Sequence, residues 1–366
     1  MILYDTVIIG TSPASILEMA VLQKMGKKTL MIDSRPQVGG NWGTITLPKL
    51  GEVESGAHYI APDQTLYDLL ESVIGVQLAE VPNPRYFLPR RVFFSNSSPW
   101  LDRWGSGVAP EINKLPSSVK EFRSIVSPYL RYMESKIRSA GRPKVKMKYF
   151  SNGTSGLVES LQRFISDRKL EVRLNTMVCG AEVESKEGVV NVKTDHEDVR
   201  AKKLMITSCS RLQEVKVDGV CCYLPKIIRP LVQLHLVFKG PSIREFTFGQ
   251  FVQSPYLLLA TNLTPFLNKS AREGGFSLIA SLVIETTSQN EDSVQKITEL
   301  LKFYGIVHRD NILESYHWSQ YDVPQLQDNE LAKIEEDLGP YVGVLSTHSL
   351  GGDKLERWWS SLKPGR

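Results

Sequence analysis

The first residues able to do chemistry are one small-residue turn and one acid. The turn is Gly10-Thr11-Ser12-Pro13-Ala14-Ser15. It follows a short apolar run, Thr6-Val7-Ile8-Ile9, and leads into Ile16, Leu17, Met19, Ala20 and Leu22 at helical spacing. A helix starting here aims its unpaired first-turn N–H groups and the positive end of its dipole at the turn, which suits a diphosphate. Gly10 permits the tight turn. Ser12 stands where backbone would approach a phosphate, and its hydroxyl could donate. Ser15 stands at the close helix–strand contact. A second apolar run, Thr29-Leu30-Met31-Ile32, ends in Asp33. An acid there can accept hydrogen bonds from ribose hydroxyls and repels a 2′-phosphate. Only one of the three glycines of G-x-G-x-x-G is present, so taken alone the unit also suits any β-α-β enzyme.

Other candidates are scattered. Gly-rich turns stand at Val38-Gly39-Gly40-Asn41-Trp42-Gly43, at Ser55-Gly56-Ala57-His58-Tyr59 and at Gly351-Gly352-Asp353. Arg85, Arg90, Arg91 and Arg229 could pair with phosphate or simply solvate the surface. Tyr86, Phe87, Phe93, Phe94, Tyr316, Trp318 and Tyr321 could line a pocket or fill a core. No Ser-His-Asp or paired-carboxylate constellation stands out. The four cysteines, Cys179, Cys209, Cys221 and Cys222, lack metal-ligand spacing and read as reduced, buried, small apolar side chains.

The elements that must position these residues follow from pattern. Helices are expected over 13–25, 63–75, 118–139 with Pro128 as a kink or boundary, 157–165, 293–303, and from Gly351-Gly352 to Leu362. Strands are expected over 170–178, 181–185, 188–194, 203–207, 231–238, 255–260, 276–284 and 341–345, with Ser185-Lys186-Glu187-Gly188 as a hairpin turn. Short strands fit the Pro-, Arg- and aromatic-rich stretch 81–110. The fold class is α/β: a Rossmann-like parallel sheet interleaved with an α+β substrate domain.

Composition narrows the function classes. The chain has 366 residues, a net charge of +4, 42% apolar and 23% charged residues. Those are ordinary globular values. The length asks for two domains, yet no linker is visible. The small, evenly spread charge argues against nucleic acid. No apolar run spans a bilayer. Met1-Ile2-Leu3-Tyr4-Asp5 lacks a basic segment and a long apolar core, so no secretory leader and a cytoplasmic setting are expected.

Arg35-Pro36-Gln37-Val38-Gly39-Gly40-Asn41-Trp42, after the acid at 33, resembles the FAD-binding amine-oxidase-like superfamily. That group contains flavin amine oxidases, protoporphyrinogen oxidase, carotenoid desaturases and UDP-galactopyranose mutase, and Gly-Gly-Asn is most similar to the mutases. The resemblance implies FAD as cofactor. It implies contacts from Gly10, Ser12, Pro13, Ala14, Ser15, Asp33, Ser34, Arg35, Gly39, Gly40, Asn41 and Trp42. Glu54-Ser55-Gly56-Ala57-His58-Tyr59 resembles the family's turn beside the flavin ring. Gly153-Thr154-Ser155-Gly156-Leu157 resembles the entry to the second FAD-domain portion, which includes Met177 and Val178. Gly351-Gly352-Asp353 resembles the last flavin-contacting turn. His58 and His348 become the candidate catalytic groups, with a satisfied turn histidine as the alternative for each; Asp353 could equally be a plain N-cap.

The resemblance also orders the domains. The FAD domain is expected at 1–60, 150–212 and 335–366, and the substrate domain at 61–149 and 213–334. Amine oxidases of the family place a Lys on the strand matching 231–238; Gln233 is the nearest residue here, and no Lys occurs before Lys239. The mutases' C-terminal Gly-Arg-Leu-Gly segment is missing. Three functions are therefore carried forward: a flavin oxidoreductase acting on a small organic substrate, a flavin-dependent mutase acting on a nucleotide sugar, and a flavin-fold binding or assembly subunit. A homodimer is compatible with each.

Overall fold

A computed structural model describes residues 2–40, 42–55, 59–60, 63–80, 85–87, 93–95, 148–207, 210–224, 226–240, 248–251, 256–283, 289–326, 336, 338–345 and 352–363. Among the described residues, the α-helices with both bounds in view are α1 (Pro13–Lys24), α2 (Gln64–Asp68), α3 (Gly153–Asp167), α4 (Lys269–Glu273), α5 (Glu291–Phe303) and α6 (Gly352–Leu362). The expected helix 118–139 and its Pro128 lie outside the described residues.

Four short apolar runs that the sequence separates widely come together in one five-stranded parallel sheet. Its order is Val172–Arg173, Thr29–Ile32, Thr6–Ile9, Leu204–Thr207, Val342–Leu345. Parallel sheets are covered on both faces, which is why these strands read as continuous apolar runs rather than alternating ones. Ile8, Met31, Met205 and Leu345 face a core shared with Ile16, Leu17, Leu157, Leu161 and Trp358 of α1, α3 and α6. Val7, Ile9, Leu30, Ile32, Leu204, Ile206, Val342 and Val344 face Val183, Val190, Val192, Val199 and Val215 of a second sheet. The architecture at this end is helices, parallel sheet, second sheet.

That second sheet has six strands, in the order Leu3–Tyr4, Val199–Ala201, Val189–Thr194, Val178–Glu184, Glu214–Val217, Val220–Tyr223. The expected hairpin at 185–188 joins two of them, with Gly188 at φ 65. The pairs at 214–217 and 220–223 extend the layer past residue 212, where the domain boundary was expected. Two cysteine expectations are overturned. Cys179 and Cys221 are exposed and Cys222 only partly covered. Cys179 sits at a register shift between Val178 and Gly180, and Cys221 stands opposite Lys216 on the edge strand. Neither position faces the core. Cys209 lies outside the described residues.

A seven-stranded sheet builds the other half, in the order Ile312–Leu326, Lys226–Lys239, Phe276–Val283, Leu257–Asn262, Phe248–Phe251, Arg85–Phe87, Phe93–Ser95. Leu234, Leu236 and Phe238 pack with Val294, Ile297 and Leu301 of α5 on one face. Val237, Leu278 and Ala280 pack on the other with Leu47, Leu50 and Val53. Those last residues belong to the antiparallel pair Thr44–Leu47 and Gly51–Glu54 and the turn that joins it. A three-stranded sheet (Tyr59–Ile60, Lys148–Phe150, Leu78–Glu80) puts Ile60 and Phe150 into the helical core and sets Tyr149 edge-on to Phe266. The single helix expected over 63–75 is α2 continued by a π-helical stretch, Leu69–Ile74, which Gly75 ends.

One buried charge fastens the helical layer. Glu18, on the inner face of α1, accepts a 2.6 Å hydrogen bond from Trp358 Nε1 and pairs with Arg357, both on α6. Trp358 is fully buried and Glu18 nearly so. A buried carboxylate is tolerated only when paired and hydrogen-bonded. Glu18→Ala strands the indole N–H, so a urea titration should show a loss of about 3 kcal/mol. Glu18→Gln keeps an acceptor for the indole and should lose less than half of that.

Candidate functional site

The site is built on the C-terminal ends of the parallel strands. Gly10 ends its strand with φ 100, a left-handed conformation that disfavours any side chain. It donates to Ile32 O at 2.8 Å. A β-carbon at Gly10 would stand 2.8 Å from Thr207 Oγ1 of the neighbouring strand, so the close approach also demands glycine. Ser12 is the N-cap of α1: its Oγ accepts from Ser15 N at 3.3 Å and lies 2.9 Å from Ser15 Oγ. Pro13 occupies the first turn, where a missing N–H costs nothing. Ala14 and Ser15 are buried behind it. The serines that replace two motif glycines thus cap the helix and bond to each other.

The Gly39-Gly40 turn lies over this helix start. Gly39 N donates to Thr11 O at 2.9 Å. Gly40 has φ 63, and a β-carbon there would stand 3.5 Å from Ser12 N. A branched side chain would therefore cover the first amides of α1. Trp42 packs edge-on against Phe150 at 5.1 Å and donates to Gly39 O at 3.2 Å. Asp33 is buried beside the turn. Its Oδ2 accepts from Thr11 N at 2.9 Å and Thr11 Oγ1 at 2.6 Å, and its Oδ1 accepts from Arg35 N at 3.0 Å. Ser34 and Arg35 are exposed.

The loop before Met177 closes the same edge. Thr176 N donates to Asp33 O and Asn175 N to Arg35 O, each at 3.0 Å. Asn175 is at φ 51, so the strand expected over 170–178 breaks after Arg173 to make these bonds. Met177 is exposed beyond them, and Val178 starts the next strand. The structure thus gathers Gly10, Ser12, Pro13, Ala14, Ser15, Asp33, Arg35, Gly39 and Gly40 in one place, with Met177 and Val178 following the adjoining loop. Asn41, Gly56, Ala57, His58, His348 and Gly351 lie outside the described residues. Gly352 and Asp353 open α6.

Sequence reasoning missed a second set of side chains. Buried Glu54 accepts from Thr154 N, in the first turn of α3, at 2.8 Å. Its carbonyl receives a 3.0 Å hydrogen bond from Nε2 of His235, a fully buried residue of the seven-stranded sheet. Gln233 is buried on the same strand. The signal for Glu54 was an acid next to a small-residue turn; His235 gave none, being one of two polar residues, with Gln233, in an otherwise apolar run. Tyr67 acts nearby, donating to Ile60 O at 3.3 Å and accepting from Lys148 N at 3.1 Å. Burial pushes its phenol up to about 12, against the opposing pull of the Lys148 amide. A cavity of about 150 Å³ opens at the start of α3, lined by Gly153, Gly156, Gln77, Asn152, Ser160 and Arg163 among others. Among the described residues no three His, Cys, Asp or Glu side chains gather as a metal site.

Three comparisons bear on this geometry. Residues 8–73 match the NAD(P)-binding Rossmann-like domain family. The comparison with curated proteins finds no match. Among solved structures, wild-type putrescine oxidase bound to putrescine is similar at 15% identity and a TM-score of 0.65, over 99% of this chain and 97% of that one. Cyclohexylamine oxidase from Brevibacterium oxydans IH-35A is similar at 12% identity and 0.62, over 98% and 96%. Rab GDI from Plasmodium falciparum is similar at 13% identity and 0.57, over 99% of both chains. At such identities the likeness is one of fold.

The Tyr67 environment is open to titration. The folded state disfavours the phenolate, so its contribution to stability is complete below pH 10 and is lost as pH rises towards 12. Tyr4 is also pushed up, by burial and by Glu171, so ultraviolet titration should show a late tyrosine phase that Tyr67→Phe reduces and Tyr4 continues to supply.

Proposed function

We propose, for a chain that carries the fold of the FAD-binding amine-oxidase-like superfamily, that it is an FAD-dependent oxidoreductase acting on a small organic substrate between the two halves. The observation that carries this reading is the cradle at α1. A helix N-terminus opens under Gly40, whose absent side chain leaves room beside Ser12 N, and Asp33 stands at the next strand end. These features fit an adenine dinucleotide: helix amides for the diphosphate, an acid for the ribose.

The residues divide the task. Ser12 and Ala14 hold the diphosphate at the start of α1, Pro13 and the buried Ser15 shape the turn behind them, and Gly39 and Gly40 let it approach. Asp33, Ser34 and Arg35 meet the ribose side, with Met177 and Val178 beyond it. Trp42 packs the turn. His58 and His348 are the groups we assign to the reacting end, and Gly56, Ala57, Gly351, Gly352 and Asp353 to the turns around it. Bound FAD would supply hydride acceptance; the protein supplies placement, desolvation and charge. The FAD domain is assigned to 1–60, 150–212 and 335–366, and the substrate domain to 61–149 and 213–334. Each of the three FAD-domain pieces contributes to the parallel sheet, which supports that order. The strands at 214–223 favour moving the second boundary to about residue 224.

A second reading is a flavin-fold binding subunit without catalysis. Gln233 in place of a Lys and the likeness to Rab GDI favour it. The purified protein decides. It should be yellow and release FAD on boiling; a colourless protein with no thermal shift in excess FAD would support the binding-subunit reading. With flavin bound, anaerobic bleaching by substrate marks an oxidoreductase, whereas turnover only after dithionite reduction, without net redox change, marks a mutase. Gly40→Val should lower flavin occupancy at least tenfold at unchanged fold by circular dichroism; full occupancy would refute the placement.

A further inference from the structure

The acid at the second strand end is already occupied by the protein. Asp33 Oδ2 takes two hydrogen bonds from Thr11, from the amide at 2.9 Å and the hydroxyl at 2.6 Å. A carboxylate has about four lone-pair positions, two on each oxygen, so Oδ2 is full. Oδ1 takes the Arg35 amide at 3.0 Å and has one position left. Thr11 is fully buried and Asp33 is 8% exposed, so the side chain has little room to turn. The backbone is pinned as well: Asp33 N donates to Arg173 O and Asp33 O accepts from Thr176 N. Thr11 O in turn receives Gly39 N. Thr11 and Asp33 together form a clasp joining the first glycine turn, the second strand and the Gly39-Gly40 turn.

An acid that grips a vicinal diol needs an open position on each oxygen. This one has an open position on one oxygen only. We propose that Thr11 and the adenosine ribose of the cofactor compete for Asp33, so that Asp33 holds a single ribose hydroxyl and Thr11 limits cofactor affinity. Thr11 is thereby a positioning residue that also tunes binding. The 2.6 Å hydroxyl contact is a charge-assisted bond of the strong kind, and a weakly held exposed hydroxyl of a ligand would not displace it.

This inference rests on the FAD reading, and the test separates the two. The wild-type apoprotein is titrated with FAD and with FAD analogues lacking either the 2′- or the 3′-hydroxyl of the adenosine ribose, following flavin fluorescence. Removing one hydroxyl should weaken binding about tenfold or more, the cost of a lost bond to a charged group. Removing the other should change it less than about twofold. If both deletions weaken binding equally, or neither does, the competition is refuted while the FAD reading stands. If FAD itself does not bind, both fall. Thr11→Val keeps the shape and removes the hydroxyl donor. It should bind FAD several-fold more tightly, and Thr11→Ser should restore wild-type affinity. Weaker or unchanged binding by Thr11→Val would overturn the proposal, and the wild-type titrations decide it even if that variant does not fold.

Discussion

Burial of the parallel sheet on both faces is the constraint from which the rest of the nucleotide end follows. A parallel sheet has no tolerable wet face, so every strand must alternate between two apolar layers. Ile8, Met31, Met205 and Leu345 meet the helices; Val7, Ile9, Leu30, Ile32, Leu204, Ile206, Val342 and Val344 meet the six-stranded sheet. Once those layers close, the strand ends are fixed to within a residue, because a slip of one position would exchange the two faces. The turns carried by those ends inherit the precision. Gly10 lies against Thr207 and Asp33 against Thr11 because the strands beneath them cannot shift.

The same logic explains which parts of the molecule could be read from sequence. The short apolar runs at 6–9, 29–32, 204–207 and 342–345 announced themselves, being buried on two sides and bounded by glycine or polar turns. The helix at 13–24 was legible from its spacing and from Gly26. The long antiparallel strands were harder to read: Lys226–Lys239 begins five residues before the expected 231–238, and Ile312–Leu326 was not foreseen as a strand, because its mix of polar and aromatic residues offers no apolar run. The cysteines misled because a small apolar residue is usually inside, and nothing in Val220-Cys221-Cys222-Tyr223 says that the strand lies at an edge.

At the site, spacing revealed glycines and the acid but not their partners. Thr11 sits between two motif positions and carries no pattern of its own, yet it supplies both bonds to Asp33 Oδ2. Glu54 and His235 are 181 positions apart, and their bond joins two sheets. Contacts of that kind depend on how layers stack, which periodicity along one segment does not encode. Ser12 and Ser15 show the reverse case: as departures from a glycine motif they read as losses, whereas as a cap they stabilise the helix start that the motif serves.

The contact between Glu18 and Trp358 has a consequence for how the chain comes together. The first helix of the protein buries its acid against a helix more than 330 residues later, and the central sheet takes a strand from the same late stretch. During synthesis the early β-α-β unit must therefore wait, with Glu18 facing water and one sheet edge bare, until the late segment emerges. Folding of such a topology is dominated by distant contacts and is slow for its stability. The waiting edge, Leu204–Thr207, is four residues of apolar strand, the kind of surface on which partly made chains associate.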